Sequence, residues 1–245
     1  MYERDEFKLK LRETLDSNLT ISHPIFSELF SLEKPNWQLL KILSLEGYQI
    51  TKYFLTYIET LFFKCPDAKH KTRLLHNLYE EETGKLSKTK NHVVLMEDFI
   101  KSQGIDVKER ESYKPTKQTL ELINYRLDAV QNDSTYHIGA AAVMIASEGQ
   151  SLERKAGEAR HTLFENVFGL TTKDTLFFSV HQKEDVGHVK EGIELVADIC
   201  TTKDMQEEAL YAVDHTCKLF WNMYDSAAQR YQTLTDKQPD EATLA

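Results

Sequence analysis

Residues that break helices are scarce in this chain. It holds 9 glycines and 5 prolines in 245 residues, and Pro24, Pro35, Pro66 and Pro115 fall where helical patterns begin or end. So few breakers argue for long uninterrupted helices and against a turn-rich β architecture. Hydrophobic residues make up 41% and charged residues 28%, enough for a real core beneath an ordinary solvent-facing surface.

Apolar periodicity and end signals predict helices over about 5 to 20, 35 to 65, 67 to 83, 91 to 103 and 115 to 131. A further helix, with Ser134 as its cap, runs to about 167; two more cover about 173 to 200 and 203 to 233. The tetrapeptide TTKD occurs at 171 to 174 and again at 201 to 204, each time with an acidic residue suited to a first helical turn. No internal repeat or linker divides the chain. The expectation is all-α: one domain over 1–245, a bundle of seven or eight helices, with a loose polar tail over about 236 to 245.

The formal net charge of −9 excludes a nucleic-acid partner, which needs a basic surface. The first residues, MYERDEFKLKLRE, carry no apolar signal core. No stretch approaches 18 uncharged apolar residues, so no membrane span is expected. The three cysteines, Cys65, Cys200 and Cys217, are widely spaced and form no CxxC pair; they read as small core residues of a reduced compartment. A cytoplasmic protein is expected.

Chemistry concentrates in HQKEDVGH, residues 181 to 188. His181, Asp185 and His188 stand at steps of four and three, within roughly 60° of one another on a helix. The same face carries Phe177, Leu195 and Ile199, which makes it a buried face. Burying a carboxylate beside two imidazoles is costly unless something compensates, and a divalent metal would compensate all three. Two surface histidines and a salt-bridged aspartate would give the same pattern.

Two other segments bear on that choice. Glu148 shares its face with Ala141, Met144, Ile145 and Leu152, so its carboxylate must be protonated, ion-paired or metal-bound. In LLHNLYEEETGKLSKTKNH, Glu81 shares a face with Leu74, Asn77 and Leu78 and is expected to point inward, whereas Glu80 lines up with Arg73 and His76 and is expected to be solvated. His92 follows Glu81 by eleven residues, about 16 Å along a continuous helix. Both can reach one centre only if the helix breaks, and GKLSKTK is where it would. Three carboxylates and three histidines on several helices are how carboxylate-bridged di-iron sites are built.

This set of residues resembles that of the haem-oxygenase-like di-iron oxidase and oxygenase superfamily: a Glu, a His, an isolated Glu and then HxxxDxxH, here Glu81, His92, Glu148, His181, Asp185 and His188. NLYEEETG is also similar to the surroundings of the first ligand in relatives of the chlamydial death-domain-associating protein. The resemblance, over about residues 20 to 225, implies a seven-helix haem-oxygenase-like bundle, a homodimer, and those six residues as ligands of two iron ions. It further implies O₂ as co-substrate, with Glu81, Glu148 and Asp185 as the carboxylates that shift coordination during chemistry. The implied function is an oxygen-dependent non-haem di-iron oxidase or oxygenase acting on a small amino-acid-like or fatty-acid-like molecule.

Some members make para-aminobenzoate from a tyrosine of their own chain, assisted by a lysine. Phe26 and Glu158 stand at those places here, which favours a diffusible substrate. Two other classes stay open: a metal-independent enzyme on the same bundle, thiaminase-like or a cofactorless oxidase, and a non-catalytic interaction protein.

Overall fold

The structure is a computed structural model that describes residues 1–152 and 159–236. Glu158 and the tail from 237 onward lie outside the described residues. Among the described residues every regular element is helical. In chain order these are α1 (Arg4–Ser17), α2 (Pro24–Leu29), α3 (Trp37–Thr51), α4 (Phe54–Lys64), α5 (Ala68–Thr83), α6 (His92–Ser102), α7 (Val107–Ser112), α8 (Lys117–Gln131) and α9 (Tyr136–Ala140). A π-helical turn (Ala141–Ser147) and a 3₁₀ turn (Glu148–Ser151) follow α9, and the series closes with α10 (Arg160–Phe168), α11 (Leu176–Ile199) and α12 (Lys203–Asp236).

Side-chain caps set many of the starts. Asn36, Asp67, Asn91, Asp106 and Thr116 each accept backbone N–H bonds at the head of α3, α5, α6, α7 and α8, worth about 1 kcal/mol apiece. The expected helix over 35 to 65 is divided at Lys52 and Tyr53. There the Thr51 hydroxyl donates to the Gly47 carbonyl at 2.9 Å, a competing bond that bends helices. The expected helix from Ser134 to 167 is also divided. Asn132 caps a 3₁₀ turn, Asp133–Thr135, by accepting from Ser134 N. Helix α9 follows from Thr135 with no side-chain cap, and the chain widens into the π turn just before Glu148.

Two large apolar clusters fill most of the bundle, and a small third one joins Leu122 of α8 to Leu219, Phe220 and Met223 of α12. One gathers Phe7, Leu11 and Leu15 of α1, Tyr57 and Leu61 of α4, Leu74 of α5, the π turn, Val189 to Val196 of α11 and the first half of α12. The other gathers α2, α3, Met96 and Phe99 of α6, Phe164 of α10 and Ala227 of α12, with Phe177 and Phe178 packed against it. Each buried Leu, Ile or Phe side chain contributes roughly 1.5–3 kcal/mol. The three cysteines are free and buried. No helix of the described residues is long and apolar enough to cross a membrane.

The clusters hand over to each other along α11. Phe177 and Phe178 belong to one, Val189 onward to the other, and His181, Asp185 and His188 lie between. Gly192 sets how near α11 comes to the π turn, because a Cβ there would lie 2.5 Å from the Met144 carbonyl oxygen. Only glycine permits that approach.

Candidate metal centre

The C-terminal turn of α5 carries adjacent acids, Glu80 and Glu81. Gly84 then takes a left-handed conformation at φ 60°, which ends the helix at low steric cost, and its amide donates to the Glu80 carbonyl at 2.7 Å. The chain folds back through 85–90 to Asn91, whose side chain caps α6 through Val93 N and Val94 N. Asn91 also donates to the Glu82 carbonyl at 3.0 Å, tying the start of α6 to the end of α5. This break inside GKLSKTK brings His92, the first residue of α6, beside the last turn of α5.

Glu80 is buried, not solvated. It is 1% exposed, and its carboxylate accepts from Leu86 N at 2.7 Å and from Ser87 N at 3.2 Å. Helical periodicity placed it with Arg73 and His76, but the returning loop covers that face and supplies the donors. Burial alone would raise its pKa, yet the Ser87 hydroxyl and the two amides together hold it below the ordinary value.

The six candidate residues gather as two trios. Glu81, His92 and His181 offer ligand atoms within 4.8 Å of one another, and so do Glu148, Asp185 and His188. In the first, His92 Nδ1 lies 2.9 Å from Glu81 Oε1 and His181 Nε2 lies 3.9 Å from the same oxygen. In the second, His188 Nδ1 lies 3.4 Å from Glu148 Oε1 and 3.7 Å from Asp185 Oδ1. Ligand atoms about 2.0–2.2 Å from a common ion are roughly 3–4 Å apart, so these separations fit.

Hydrogen-bond geometry separates this site from an ordinary polar cluster. Glu81 Oε1, His92 Nδ1, Asp185 Oδ1 and His188 Nδ1 are buried and have no hydrogen-bond partner. They approach one another without aligning, as atoms do that face a common third point. Buried polar atoms are rarely left unpaired, and four converging in two neighbouring trios fit a site for something that accepts lone pairs.

Neighbouring groups hold these atoms in position. His181 Nδ1 lies 2.6 Å from the Phe177 carbonyl oxygen. A carbonyl only accepts, so Nδ1 carries the proton and Nε2 presents a lone pair toward Glu81, the arrangement typical of metal-ligating histidines. Asn77 donates to Glu148 Oε1 at 2.8 Å, and Glu80 stands 3.5 Å behind His92 Nε2. Asn77 was legible as a neighbour of Glu81 on the inward face of its helix, and the role of Glu80 was not.

The electrostatics report the same crowding of acids. Burial disfavours the His188 imidazolium, but Glu148 and Asp185 outweigh it and push the pKa up to about 11. His92 is raised too: burial opposes its charge, and Glu81 and Glu80 more than offset this. Burial, with help from Glu148, lifts Asp185 to about 6. Glu148 is lowered, since His188 and the Asn77 donor overcome its burial. Buried acids thus favour the protonated forms of His92 and His188, and divalent cations would supply positive charge in place of those protons. The donor set, its orphaned atoms and its spacing fit two metal ions.

Glu81, Glu148, His181 and Asp185 also line a cavity of about 160 Å³. Its other walls are mostly apolar, among them Leu40, Ile50, Phe54, Met96, Phe99 and Phe178. Where α3 gives way to α4, Phe54 reaches the wall and its neighbours Tyr48, Tyr53 and Tyr57 do not. His137 is not in it; its Nε2 pairs with Glu208 at 2.7 Å, a satisfied core histidine.

Known proteins resemble this chain in sequence and in fold. The sequence pattern of a family described as iron-containing redox enzymes matches residues 44–221. The chain belongs to that family. It is 26% identical over 180 residues to the 4-aminobenzoate synthase of Chlamydia trachomatis, covering 73% of this chain and 74% of that one. A domain of unknown function with a haem oxygenase-like fold from Shewanella denitrificans superposes with a TM-score of 0.74 at 20% identity, over the whole of both chains. A TenA homologue from Pseudomonas syringae gives 0.73 at 14% identity, over 90% of this chain and 92% of that one. The fold of this family member is thus haem-oxygenase-like.

Proposed function

We propose that this iron-family protein is an oxygen-dependent, non-haem di-iron oxidoreductase acting on a small organic molecule bound in the cavity. The observation that carries the reading is the pair of buried trios with orphaned donor atoms, opening onto an apolar cavity. Glu81, His92 and His181 would hold one iron, and Glu148, Asp185 and His188 the other. Bound iron supplies the redox capacity to activate dioxygen, with electrons from an external donor or from the substrate.

The chain's own residues have definite tasks in this reading. The His181 bond to the Phe177 carbonyl keeps one tautomer and one ring orientation. Glu80 backs His92 and pins the 84–91 loop, and Asn77 steadies Glu148. Glu81, Glu148 and Asp185 each have two oxygens and can change binding mode as charge changes. The apolar walls exclude water and hold the substrate body beside the ligand residues.

A metal-free reading on this fold would leave the orphaned atoms unpaired at roughly 1–3 kcal/mol each, which disfavours it. Phe26 lines the cavity and has no phenol, which supports a diffusible substrate. Anaerobic Fe(II) titration of the apo protein tests the proposal. Two irons per chain and a Mössbauer change on O₂ exposure are expected, with uptake that needs an added organic substrate. Failure to bind iron would refute it. Single-turnover uptake without substrate, with a mass change in the chain, would replace it with self-modification, for which Tyr224 in the wall is the available phenol.

A further inference from the structure

One charge in the cavity wall has no task in the metal centre. Arg126 of α8 lines the cavity and is 1% exposed. It stands on the apolar face of its helix, with Leu122 one turn before and Ala129 and Val130 one turn after, all buried. Its guanidinium is flanked by two rings, with Cζ 4.7 Å from the Tyr57 centroid and 5.4 Å from that of Phe220. Nε donates to the Leu122 carbonyl at 3.2 Å and Nη1 to the Ser147 hydroxyl at 3.3 Å. Nη2 has no partner.

Among the described residues no carboxylate pairs with it. The fully buried Glu46 is taken: it accepts from Tyr113, Thr116, Thr119 and Arg230. Glu148 is held by Asn77 and faces His188. An unpaired buried cation is among the costliest features a fold can carry, and arginine cannot escape by shedding its proton. The neighbouring rings favour cation–π contact with the guanidinium, and its free N–H donors match a planar carboxylate in geometry and charge. The rest of the wall is mostly apolar.

We propose that the cavity binds a monocarboxylic acid with an apolar body, its carboxylate held by Arg126 and its body lying along the apolar wall toward Glu81, Glu148, His181 and Asp185. This names the substrate class of the proposed oxidoreductase and rests on that reading for the chemistry, though not for the binding. Where the acid end is anchored decides which carbon faces the ligand residues. Arg160 is the other cation in the wall. Its Nη2 donates to the Gln150 carbonyl at 2.7 Å and its Cζ stacks 5.2 Å over Phe26; it is only partly buried, so it can be balanced by water.

The test is calorimetric titration of the full-length chain, iron-free and iron-loaded, with octanoate, 4-ethylbenzoate, octanamide and octan-1-ol. An acid should bind at least about tenfold tighter than octanamide. Arg126→Gln should remove that preference while leaving octan-1-ol binding unchanged, Arg126→Lys should restore part of it, and Arg160→Gln should keep it. Tighter binding of octanoate marks an aliphatic acid, and of 4-ethylbenzoate an aromatic one.

Equal affinity for acid and amide, an unchanged preference in Arg126→Gln, or its loss in Arg160→Gln alone would overturn the proposal. If Arg126→Gln does not fold, the wild-type preference decides, together with a shift of a buried arginine's guanidinium ¹⁵N resonance on adding octanoate; absence of either overturns it. Acid preference in a protein that binds no iron would refute the metal reading alone. Two irons per chain with no acid preference would refute the anchor alone.

Discussion

Helix α11 carries two polar clusters, and they differ in one respect. Near its C-terminus Glu194 and Asp198 find their counter-charges within the chain. Arg4 meets both at 2.5 and 2.6 Å, Lys8 meets Glu194 at 2.5 Å, and His70 and Lys69 meet Asp198 at 2.7 and 3.3 Å. Two turns nearer the N-terminus His181, Asp185 and His188 face other acids, with donor atoms left unpaired. One cluster fastens α1 and α5 to α11 with both of its carboxylates matched by cations, and only His70 Nδ1 in it lacks a partner. The other brings acids and imidazoles together without pairing their facing atoms. Polar residues that satisfy one another are architecture, and those that converge without satisfying one another are a site.

The sharpest way to break this comparison is to remove a converging residue. Asp185→Ala should lower bound iron from two per chain to one or none while circular dichroism and Tm stay near wild type. Two irons retained would mean that Asp185 is not a ligand. Removing a residue from one trio should spare the other more than its own, which His92→Ala and His188→Ala, titrated separately, would show.

Next in size is the contact that brings the trios together. Gly192→Ala should cost roughly 1–3 kcal/mol through overpacking against the Met144 carbonyl, lowering Tm and weakening the Glu148 trio as α11 is pushed from the π turn. An unchanged Tm would show that the backbones have room to part.

Glu80→Gln removes a charged acceptor from the Leu86 and Ser87 amides. We expect about 1–2 kcal/mol of local destabilisation, faster hydrogen exchange over 84–91, and roughly tenfold weaker iron binding through His92. Exchange that stays slow would assign the loop's order to Gly84 and Asn91 instead.

The smallest effect belongs to the satisfied cluster. Burial opposes the charge of Asp198, but His70, Arg4 and Lys69 lower its pKa to about 2. Lys8 and Arg4 bring Glu194 to about 2 as well. A folded-state pKa below the unfolded one stabilises above the unfolded value and is lost as pH falls through the folded value. Stability should therefore decline between about pH 4 and pH 2. Arg4→Ala should shift that acid transition upward by an amount worth less than about 1 kcal/mol and leave iron binding untouched. A change in iron content in Arg4→Ala would mean the two clusters are coupled along α11.

Much of this was legible because ligand spacing is helical spacing. HxxxDxxH lies on one face whatever surrounds it, Glu148 stands out on an apolar face, and Gly84 followed by polar residues marks where α5 must stop. The division at Thr51 was less visible, since its hydroxyl bond to Gly47 leaves no periodic trace. Glu80 was misplaced because periodicity assigns a side chain to a face, and a returning loop can bury any face. Arg126 carried a signal, a lone arginine amid Leu122, Ala129 and Val130, but not its missing partner.

The order of residues alone settled the elements and the chemistry each can bear, because helix periodicity, breakers and caps act over a few neighbouring residues. Whether those side chains meet, and whether any atom among them is left unpaired, depends on contacts between segments far apart in the chain. Gly192 against Met144, Asn91 back to Glu82 and the loop amides over Glu80 made those decisions. The meeting of the two trios, like the place of Arg126 in the cavity wall, is a relation among several helices, and it came into being only when they packed.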